Sequence, residues 1–461
     1  MDTSFSEIDL IREAFYYKKR YEGSTMVFKI DYPVTGDPGF LYLMKDLSLL
    51  AQTGIKIVIV PGVKESIDAF LKEHAIISES CPSGNLQEPA RITEDKAIPF
   101  VEMAAFNAAA CYMTSFSRSR VDAVIGNFVR ARSLGVVDGT DMGHTGTVDK
   151  IYVDSISRAL ELGMVPILPC IGWSPVGKPY NVPSDEIALA VSTALRAAKL
   201  FIVTGREHRQ NVLPLLKTIE TREDGSIIRL TPQETEQLIQ FINDSNTDNA
   251  GRDLQQYLLK TLRELKLALR AARDGVDRVH IVDGRQEGAV LKELFSNLGS
   301  GTMVYTDEYE SIRQIHGRDI PDILRLIEPF MQKGILVRRT AEQIQDKKND
   351  YYVFEIDGSI HACGALHDLG EKKGEIAAVA SNPVYTGMNL GRRIVEFLIE
   401  KARKNKMDKV FVLTTSAPDW FESLGFIEDT VNSLPLQRQE LYDYKRNSKI
   451  YSLEIFIMEH L

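Results

Sequence analysis

A turn of small residues directly before a helix is the first feature of this sequence that can do chemistry. Residues 386–391, TGMNLG, follow an apolar strand and precede a run with apolar residues at helical spacing. The first N–H groups of a helix have no partner inside it, and with the helix dipole they favour an anion such as phosphate. Gly387 and Gly391 let a ligand approach the backbone closely, and Asn389 tolerates a positive φ. The alternative is a plain connecting loop, and the turn alone does not separate the two.

The composition is that of a globular protein with several domains. On length alone, 461 residues indicate roughly two or three domains. The net charge is −9, and no long basic stripe is visible, so nucleic acid is not expected as a partner.

The cysteines and the N-terminus indicate a cytoplasmic location. Cys81, Cys111, Cys170 and Cys363 are widely spaced and form no Cys-x-x-Cys pair, so neither a disulfide framework nor a metal site is expected. The N-terminal segment lacks the apolar core of a signal peptide. No run of about 18 apolar residues occurs, so no membrane partner is expected.

Strand and helix patterns alternate along residues 21–306, which predicts an α/β domain with an open, mostly parallel sheet. Residues 55–62, IKIVIVPG, are nearly all apolar, as expected of a parallel strand buried on both faces. Residues 164–172 predict one further strand, and residues 138–150 predict polar turns. Residues 1–20 predict an amphipathic helix with little to pack on in its own domain, so we expect it to form a contact in a homo-oligomer.

Residues 307–461 carry the pattern of an antiparallel-dominated α+β domain. Two β-type runs joined by Asp357-Gly358 predict a hairpin. The later elements are a strand at GEIAAVA (374–380), the helix after the turn, a strand at KVFVLT (409–414), a short helix at APDWFESLG (417–425) and a strand at KIYSLEIFI (449–457).

This second block resembles the acetyl-CoA-binding core of the GNAT acetyltransferases. The strand, the turn, the helix, the next strand and the closing segment WFESLGF follow the order of that core. The family's turn, Arg/Gln-x-x-Gly-x-Gly/Ala, reads TGMNLG here, so Thr386 replaces the first residue and Asn389 the middle glycine. Phe421 stands where the family often has a tyrosine acid.

Longer stretches are similar to the bacterial-type N-acetylglutamate synthases, in which an amino-acid-kinase-like domain precedes a GNAT domain. These stretches are GILVRR (334–339), GEIAAVASNP (374–383), KVFVLTT with WFESLGF (409–426), LPLQRQELYDYKRNSKI (434–450) and GVDRVHIVDGRQEGAVLKELFSNLGSGTMVY (275–305). The resemblance implies that acetyl-CoA acetylates the α-amine of L-glutamate, the first step of arginine biosynthesis, without a metal. It also implies the residues that bind acetyl-CoA: Val379, Ala380, Gly387, Met388, Asn389, Leu390, Gly391 and Arg392.

Acetyl transfer needs a neutral amine, which a general base provides. Glu375 begins the central strand and matches the family's proposed base, which acts through water. The alternative is a solvated carboxylate at a strand end. Thr414 matches a family serine near the substrate and the thiol. Asp419 replaces a family tyrosine nearby, so the proton donor to the thiolate stays open.

Glutamate carries two carboxylates, and its site therefore needs at least two cationic groups, preferably arginines. The resemblance places Leu336, Arg338, Arg446 and Ser448 in that site. The alternative is that these basic residues only decorate the surface.

The first domain resembles the amino-acid kinases but lacks their phosphate loops. Lys29 is followed by IDYP where those kinases have x-Gly-Gly, and the second loop, VPGVK, keeps one glycine of three. Asp185 matches a kinase aspartate, but one carboxylate without a phosphate cradle does not make a kinase. We therefore predict that this domain has no kinase activity.

The segment HIVDGR and the residues after it resemble the arginine pocket of arginine-inhibited relatives. The resemblance implies that His280, Glu293 and Gly301 bind L-arginine as an effector, with the Glu293 carboxylate paired to the guanidinium. Ordinary sheet and helix packing is the alternative.

Three other functions stay open: an acetyltransferase for another amine, an ATP-dependent amino-acid kinase, and a non-catalytic arginine sensor. The lost glycines argue against the kinase, and the Arg338/Arg446 pair argues against another amine. Glu375 and the phosphate turn argue against a sensor without catalysis.

Overall fold

The computed structural model of the chain describes residues 15, 18–81, 90–205, 226–244, 252–295, 299–306, 310–356, 358–383 and 389–455. The chain divides into two compact units, one within residues 7–307 and one within residues 308–461. The helix expected over residues 1–20 lies outside the described residues, apart from the exposed Phe15 and residues 18–20.

An eight-stranded sheet forms the centre of the first unit. The described strands of this unit are β1 Thr25–Ile30, β2 Lys56–Pro61, β3 Ser80–Cys81, β4 Ala90–Arg91, β5 Ala123–Ile125, β6 Val129–Ser133, β7 Val136–Val137, β8 Thr140–Asp141, β9 Gly146–Ile151, β10 Val165–Ile167, β11 Ile171–Trp173, β12 Pro179–Asn181, β13 Lys199–Thr204, β14 Arg229–Leu230, β15 Arg278–Asp283 and β16 Thr302–Tyr305. The order in the main sheet is β14-β16-β15-β13-β1-β2-β10-β5. Neighbouring strands run parallel except β15 and β16. The predicted α/β fold with a mostly parallel sheet is confirmed.

Both faces of the main sheet are buried, as the apolar strands predict. On β1, Val27 belongs to one core cluster, whereas Phe28 and Ile30 belong to another. Successive side chains of a strand point to opposite faces, so the two clusters lie on the two sides of the sheet. The helices of this unit are α1 Tyr32–Thr35, α2 Phe40–Gln52, α3 Lys64–Glu73, α4 Ile98–Arg118, α5 Val153–Glu161, α6 Ser184–Ala194, α7 Pro232–Asp244, α8 Arg252–Arg273 and α9 Ala289–Phe295.

A second sheet in the first unit, with the order β12-β11-β6-β9, was not predicted. The single strand expected over residues 164–172 is wrong: β10 belongs to the main sheet and β11 to the second one. The polar turns expected over residues 138–150 are wrong at their end, where β9 forms. Strand β9 lies at the sheet edge with Asp149 and Lys150 exposed, so its polar sequence is compatible with a strand.

The second unit contains one seven-stranded sheet. Its strands are β17 Glu310–Gln314, β18 Tyr351–Ile356, β19 Ser359–Asp368, β20 Lys373–Ser381, β21 Lys409–Thr414, β22 Ile427–Asp429 and β23 Lys449–Glu454, in the order β17-β18-β19-β20-β21-β23-β22. Among the described strands of this sheet, only β20 and β21 are parallel neighbours. The predicted antiparallel-dominated sheet is confirmed, and so is the β18–β19 hairpin, although Asp357 lies outside the described residues.

The helices of the second unit include one that packs on β19 and β20. The helices are α10 Ile320–Gln332, α11 Ala341–Asp346, α12 Leu390–Lys404, α13 Pro418–Glu422 and α14 Leu436–Glu440. Helix α12 packs on β19 and β20 through Leu390, Ile394 and Leu398, which are buried. The helical spacing in the sequence therefore predicts its buried face correctly, and this packing fixes the N-terminus of α12 near β20.

Candidate active site

The turn expected to bind phosphate ends where α12 begins. Asn389 is the residue before the helix and has a φ of 50°, so its expected positive φ is confirmed. The N–H of Arg393 donates to the carbonyl of Asn389, which is the first hydrogen bond at this helix end. The N–H groups of Leu390, Gly391 and Arg392 precede that bond, and such groups have no partner inside a helix. They are available to an anion at this end of the helix.

Gly391 is the second residue of α12. A Cβ atom at Gly391 would lie 3.6 Å from the Trp420 ring and 3.7 Å from Ser381 Oγ, which are ordinary contacts. Packing therefore does not require a glycine here, whereas close approach of a ligand to the backbone favours one. The Arg392 side chain forms an ion pair with Glu396 at 2.8 Å. Arg392 therefore contributes its backbone N–H, and not its guanidinium, at the helix end.

The remaining two residues of the expected acetyl-CoA turn, Gly387 and Met388, lie outside the described residues.

Strands β20 and β21 separate next to this turn. Their parallel register ends at Ile376 and Val412, although both strands continue beyond that point. Ala378 has a φ of 53°, and the β19–β20 register shifts beside it. The expected acetyl-CoA residues Val379 and Ala380 lie on the separated part of β20. The gap between the strand ends leaves backbone groups without a partner strand, and an extended thioester arm can pair with such groups.

Glu375 is bound by the guanidinium of Arg438. The Nε of Arg438 lies 2.5 Å from Oε2 of Glu375, and Nη2 lies 3.0 Å from Oε1. Glu375 is only 9% exposed, so the alternative of a solvated carboxylate is wrong. The hydrogen bond to Glu375 is also the main cause that raises the pKa of Arg438. A carboxylate has about four acceptor positions, and Arg438 uses two, so a water molecule can still bind to Glu375.

Thr414 ends β21 and is buried. Its Oγ1 accepts the N–H groups of Ser416 at 3.3 Å and Ala417 at 3.1 Å. The hydroxyl thereby fixes the loop before α13, and it keeps its own proton to donate. In the sheet Thr414 pairs with Lys449, the neighbour of Ser448.

Arg446 joins the two segments that are expected to bind glutamate. Its Nη2 donates to the carbonyl of Ile335 at 2.6 Å, in the loop that also carries Leu336. Its Nε is buried and has no hydrogen-bond partner among the described residues. Ser448 is buried, and its carbonyl accepts the Tyr442 hydroxyl at 2.7 Å. Leu336, Arg446 and Ser448 therefore lie in one region.

Arg339, the neighbour of Arg338, contributes a second positive charge to this region. Burial and the Arg339 charge together lower the pKa of Arg446. Burial raises the pKa of the Cys363 thiol to about 12, and the charge of Arg339 opposes this shift. The partner of Cys363 in the sheet is Ala380. Arg338 is exposed, whereas Arg339 is half-buried. A carboxylate near both guanidinium groups would offset their mutual repulsion.

Sequence reasoning missed Arg438 and Arg339, although both lie inside stretches quoted for the resemblance. Arg338 and Arg339 are adjacent and identical in type, so the sequence does not tell which of them faces inward. Arg438 stands in a helix with no catalytic signature, and only its ion pair with Glu375 reveals it.

Two family models match the chain. Residues 33–208 match the Amino acid kinase family, and residues 318–426 match the Acetyltransferase (GNAT) family. The amino-acid acetyltransferase of Vibrio atlanticus (strain LGP32) is 32% identical over 455 residues, which cover 96% of this chain and 97% of that protein. The chain belongs to the amino-acid acetyltransferases. The relative in Escherichia coli (strain K12) is 31% identical over 459 residues, covering 97% of this chain and 98% of its own length.

Two crystal structures of the N-acetylglutamate synthase from Neisseria gonorrhoeae are similar to this acetyltransferase. The complex with coenzyme A and L-arginine has a TM-score of 0.79 at 29% identity. The complex with coenzyme A and N-acetyl-glutamate has a TM-score of 0.58 at 29% identity. Each comparison covers 98% of this chain and 100% of the other.

In the first unit of the acetyltransferase, a buried chain of hydrogen bonds connects the residues expected to bind arginine. Lys199 Nζ donates to His280 Nε2 at 3.0 Å, and His280 Nδ1 donates to Glu293 Oε1 at 2.7 Å. The other oxygen of Glu293 accepts the N–H groups of Ser300 at 2.6 Å and Gly301 at 2.8 Å. Burial and the Lys199 charge lower the pKa of His280 to about 4, so the ring is neutral and its proton sits on Nδ1.

The Glu293 carboxylate is thus largely occupied by the protein itself. Burial by itself raises its pKa, but the hydrogen bonds from His280 and the two amides outweigh burial and lower it to about 2. The ionised carboxylate already accepts three hydrogen bonds, which leaves about one acceptor position for a guanidinium. A Cβ atom on Gly301 would overlap the carbonyl oxygen of Ile281, so packing alone requires a glycine at this position.

Lys29 and Asp185 of the first unit match charged residues of the amino-acid kinases, and both form ion pairs within the protein. Lys29 is buried, and its Nζ lies 2.5 Å from Asp31 and 3.0 Å from Asp185. Arg263 also hydrogen-bonds to Asp185. Lys29 is therefore held by two carboxylates of the protein. Gly62 packs against the backbone of Asp31, which explains that glycine without a phosphate.

Within the described ranges, no helix has both the length and the hydrophobicity to cross a membrane. Over the same residues, no group of three or more His, Cys, Asp or Glu side chains is arranged to hold a metal ion. All four cysteines are free thiols.

Proposed function

We propose that this acetyltransferase transfers the acetyl group of acetyl-CoA to the α-amine of L-glutamate and releases N-acetyl-L-glutamate. The observation that carries the proposal is the guanidinium of Arg446, whose Nη2 donates to the carbonyl of Ile335 at 2.6 Å and whose buried Nε has no hydrogen-bond partner among the described residues, with the charge of Arg339 nearby. The Neisseria gonorrhoeae relative is named N-acetylglutamate synthase, and its structures contain coenzyme A and N-acetyl-glutamate.

The phosphates of acetyl-CoA bind at the N-terminus of α12 in this proposal. The N–H groups of Leu390, Gly391 and Arg392 face the pyrophosphate, and the expected turn residues before them complete that contact. The extended arm pairs with β20 at its separated end. A backbone N–H near Val379 or Ala380 then polarises the thioester carbonyl and stabilises the negative charge that develops on its oxygen.

The acceptor amine must lose a proton before it attacks the thioester. If the pKa of the amine lies about 2 units above the working pH, the neutral form costs about 2.7 kcal/mol. Glu375 takes this proton through a water molecule. Arg438 positions Glu375 through its two hydrogen bonds, so that the carboxylate presents its remaining acceptor positions in a fixed direction. The hydroxyl of Thr414 lies at the neighbouring strand end with a proton to donate.

The two carboxylates of glutamate select the cationic region. Arg446 and Arg339 each bind one carboxylate, and every such charge-assisted bond contributes about 1.5–3 kcal/mol. Leu336 and Ser448 line the same region. Arg338 is exposed and contributes long-range attraction. A neutral or basic side chain on the amino acid leaves one guanidinium unpaired, which makes the site specific for an acidic amino acid.

The first unit is the regulatory part in this proposal. L-Arginine binds near His280, Glu293 and Gly301 and inhibits the enzyme, as suits the first step of arginine biosynthesis. The neutralised Lys29 supports a unit without kinase activity. A homo-oligomer held in part by residues 1–20 and a cytoplasmic location complete the proposal.

One assay tests the function directly. Thiol release from acetyl-CoA is measured with each amino acid in turn, with and without L-arginine. We expect release with L-glutamate to exceed release with every other amino acid, aspartate and glutamine included. A better acceptor among the neutral or basic amino acids would refute the role of the paired guanidinium groups.

A further inference from the structure

A histidine of the second unit lies directly opposite Glu375, the expected general base. His367 of β19 is the cross-strand partner of Glu375 of β20. Side chains of directly opposite residues point to the same face of a sheet, and their Cβ atoms are about 4.5–5.5 Å apart. The imidazole and the carboxylate are therefore neighbours on one face.

This face of the sheet also carries residues of the expected glutamate site. On the other side of Glu375, its partner on β21 is Phe411, which belongs to the same hydrophobic cluster as Tyr442. The Tyr442 hydroxyl donates to the carbonyl of Ser448 at 2.7 Å. His367 therefore lies on the side of the sheet where the amine of the substrate is expected to lose its proton.

Asp350 fixes a proton on one nitrogen of the His367 ring. Asp350 ends the short turn Lys348–Asp350 before β18, and its Oδ2 lies 2.7 Å from Nδ1 of His367. An ionised carboxylate only accepts hydrogen bonds, so Nδ1 carries a proton. In a neutral imidazole the second nitrogen, Nε2, is then an acceptor.

The surroundings of the ring suit a group that takes up a proton and releases it again. The ring packs edge-on against Tyr351 of β18, with ring centroids 5.8 Å apart and an interplanar angle of 72°. The side chains of His367 and Asp350 are 15% and 34% exposed. The nearby carboxylate of Asp350 stabilises a protonated imidazole, and the partial exposure gives the proton a route to solvent.

An imidazole is a better acceptor for the proton of an amine than a carboxylate is. Near neutral pH an imidazole ordinarily binds a proton about 100-fold more tightly than a glutamate carboxylate does. Arg438 already donates two hydrogen bonds to Glu375, which leaves this carboxylate fewer positions for a proton. The neighbouring imidazole is therefore the group that holds the proton best.

We propose that His367 receives the proton that Glu375 and its water molecule take from the ammonium group of the acceptor amino acid. One N–H bond of the ammonium breaks, and the nitrogen keeps the electron pair with which it attacks the thioester. The proton passes through the water and Glu375, and the lone pair of Nε2 forms the new N–H bond. Glu375 ends ionised, as it began, and the imidazolium releases its Nε2 proton to solvent. His367 acts through Glu375, so the inference rests on the proposed function.

Thiol release from acetyl-CoA by the full chain, with the best amino-acid acceptor at saturation, tests the role of His367. His367→Gln should lower kcat about 10–100-fold with little change in either KM, which is less than the loss of a general base because water replaces the imidazole in part. His316→Gln removes an exposed imidazole beside Asp319 in the same unit and should change nothing. Adding His367→Gln to Glu375→Gln should cause no further loss, because His367 acts through Glu375.

Rescue by small rings separates proton uptake from packing. His367→Ala leaves space for an added ring beside Glu375. Imidazole should restore kcat in this variant, whereas pyrazole, a ring of the same size that is a far weaker base, should not. Neither compound should affect Glu375→Gln. Thermal unfolding establishes that each variant is folded.

Several outcomes overturn the inference. A wild-type kcat in His367→Gln, with a slow Glu375→Gln, means that Glu375 works without His367 and leaves the proposed function standing. Equal rescue by both rings means that the imidazole only fills space, and rescue by neither means that it does not carry the proton. A best acceptor other than an acidic amino acid refutes the proposed function, and the His367 comparisons are then made on that acceptor.

Discussion

The role of each charged residue in this acetyltransferase depends on its ion-pair partner. Glu375 and Glu293 are both buried glutamates. The sequence resemblance implies that Glu375 is a general base and that Glu293 binds the guanidinium of arginine. In the structure Arg438 binds Glu375 with two hydrogen bonds, whereas His280 and two backbone amides bind Glu293. The first arrangement leaves acceptor positions for a water molecule. The second leaves about one, so Glu293 can accept about one hydrogen bond from a guanidinium.

The Glu375–Arg438 pair predicts coupled effects of substitution. Glu375→Gln should lower kcat by about 10²–10⁴-fold, because the general base is lost, with little change in the KM for acetyl-CoA. Arg438→Met should also lower kcat, since the carboxylate loses its orientation. The double variant should be no slower than Glu375→Gln alone, because both changes remove one unit. Steady-state kinetics measures this, and strictly additive losses would show that Arg438 acts independently of Glu375.

The cationic region predicts a ranking of three arginines. Arg446→Ala should raise the KM for glutamate and cost roughly 2–3 kcal/mol in kcat/KM, while acetyl-CoA binding stays nearly unchanged. Arg339→Met should have an effect of the same order, because Arg339 is half-buried and acts on Arg446. Arg338→Met removes the same charge from an exposed position and serves as the matched control, with a much smaller effect. The reverse order for Arg338 and Arg339 would support the position implied by the sequence resemblance.

At the scale of elements, a substitution at the beginning of α12 should weaken acetyl-CoA binding without lowering the stability of the fold. Gly391→Ala adds a methyl group with only ordinary contacts inside the protein, and alanine favours the helix by up to about 1 kcal/mol. The Tm should therefore stay equal or rise. The KM for acetyl-CoA should increase about tenfold, or about 1.4 kcal/mol, because the methyl group occupies the space of the phosphates.

Gly364→Ala is the opposite case and the control for Gly391→Ala. Its Cβ atom would lie 2.9 Å from Cδ1 of Leu398 in α12, so this buried side chain has to move, and such overpacking costs roughly 1–3 kcal/mol. The Tm should fall while the KM for acetyl-CoA changes little. Thermal unfolding and kinetics on both variants separate the two effects. A lower Tm with an unaltered KM in Gly391→Ala would mean that this glycine serves packing.

The elements that the sequence predicts well are those with an unambiguous hydrophobic period. The buried parallel strands of the first unit and the amphipathic α12 are of this kind, because burial dictates their patterns. The second sheet was missed because its edge strand β9 is partly exposed and polar. Residues 164–172 read as one strand because both of its strands are apolar, and only the three-dimensional path separates them. The inward orientation of Arg339 and the partner of Glu375 depend on contacts between distant segments, which a single sequence does not contain.

Buried hydrogen bonds connect Lys199 of β13, His280 of β15 and Glu293 of α9. These bonds predict that the stability of the fold depends on pH in the acid range. The pKa of His280 is about 4 in the folded chain, against its ordinary value of 6.5. The unfolded chain therefore binds more protons between these values, and the free energy of unfolding falls as the pH drops from about 6.5 to about 4. The full shift corresponds to roughly 3 kcal/mol. Urea unfolding at several pH values measures this slope.

The His280→Asn variant is the control for this acid sensitivity. An asparagine keeps a hydrogen-bond donor toward Glu293 and does not titrate, so its stability should be nearly constant from pH 6.5 to about 4.5. Below that pH both proteins should lose stability, because Glu293 takes up a proton in the unfolded chain near its ordinary pKa of 4.5. In the folded chain its pKa is about 2, so it stays ionised there. An equally steep fall of both proteins above pH 4.5 would assign the sensitivity to other groups.

For the whole molecule, the proposed arginine site and the proposed acetyltransferase site lie in different units. Regulation therefore requires that binding at one site changes the affinity at the other. L-Arginine binds the first unit in our proposal, and the reaction takes place in the second, so arginine acts by preferring one state of the molecule. An effect of 5–150-fold on substrate affinity corresponds to about 1–3 kcal/mol of coupling. The same factor must appear in the reverse direction, so saturating acetyl-CoA should weaken arginine binding by the factor with which arginine weakens acetyl-CoA binding. Isothermal titration calorimetry measures both affinities on the wild-type chain.

The variant that tests this linkage is Glu293→Gln. Alanine at this position would leave the buried His280 and the amides of Ser300 and Gly301 without an acceptor, which costs stability independently of arginine. Glutamine keeps one acceptor oxygen and removes the charge that attracts a guanidinium. We expect near wild-type activity without arginine and an arginine response shifted to higher concentrations. Unaltered arginine affinity in Glu293→Gln places the effector elsewhere, and unequal factors in the two titrations mean that arginine and acetyl-CoA are not coupled through one equilibrium.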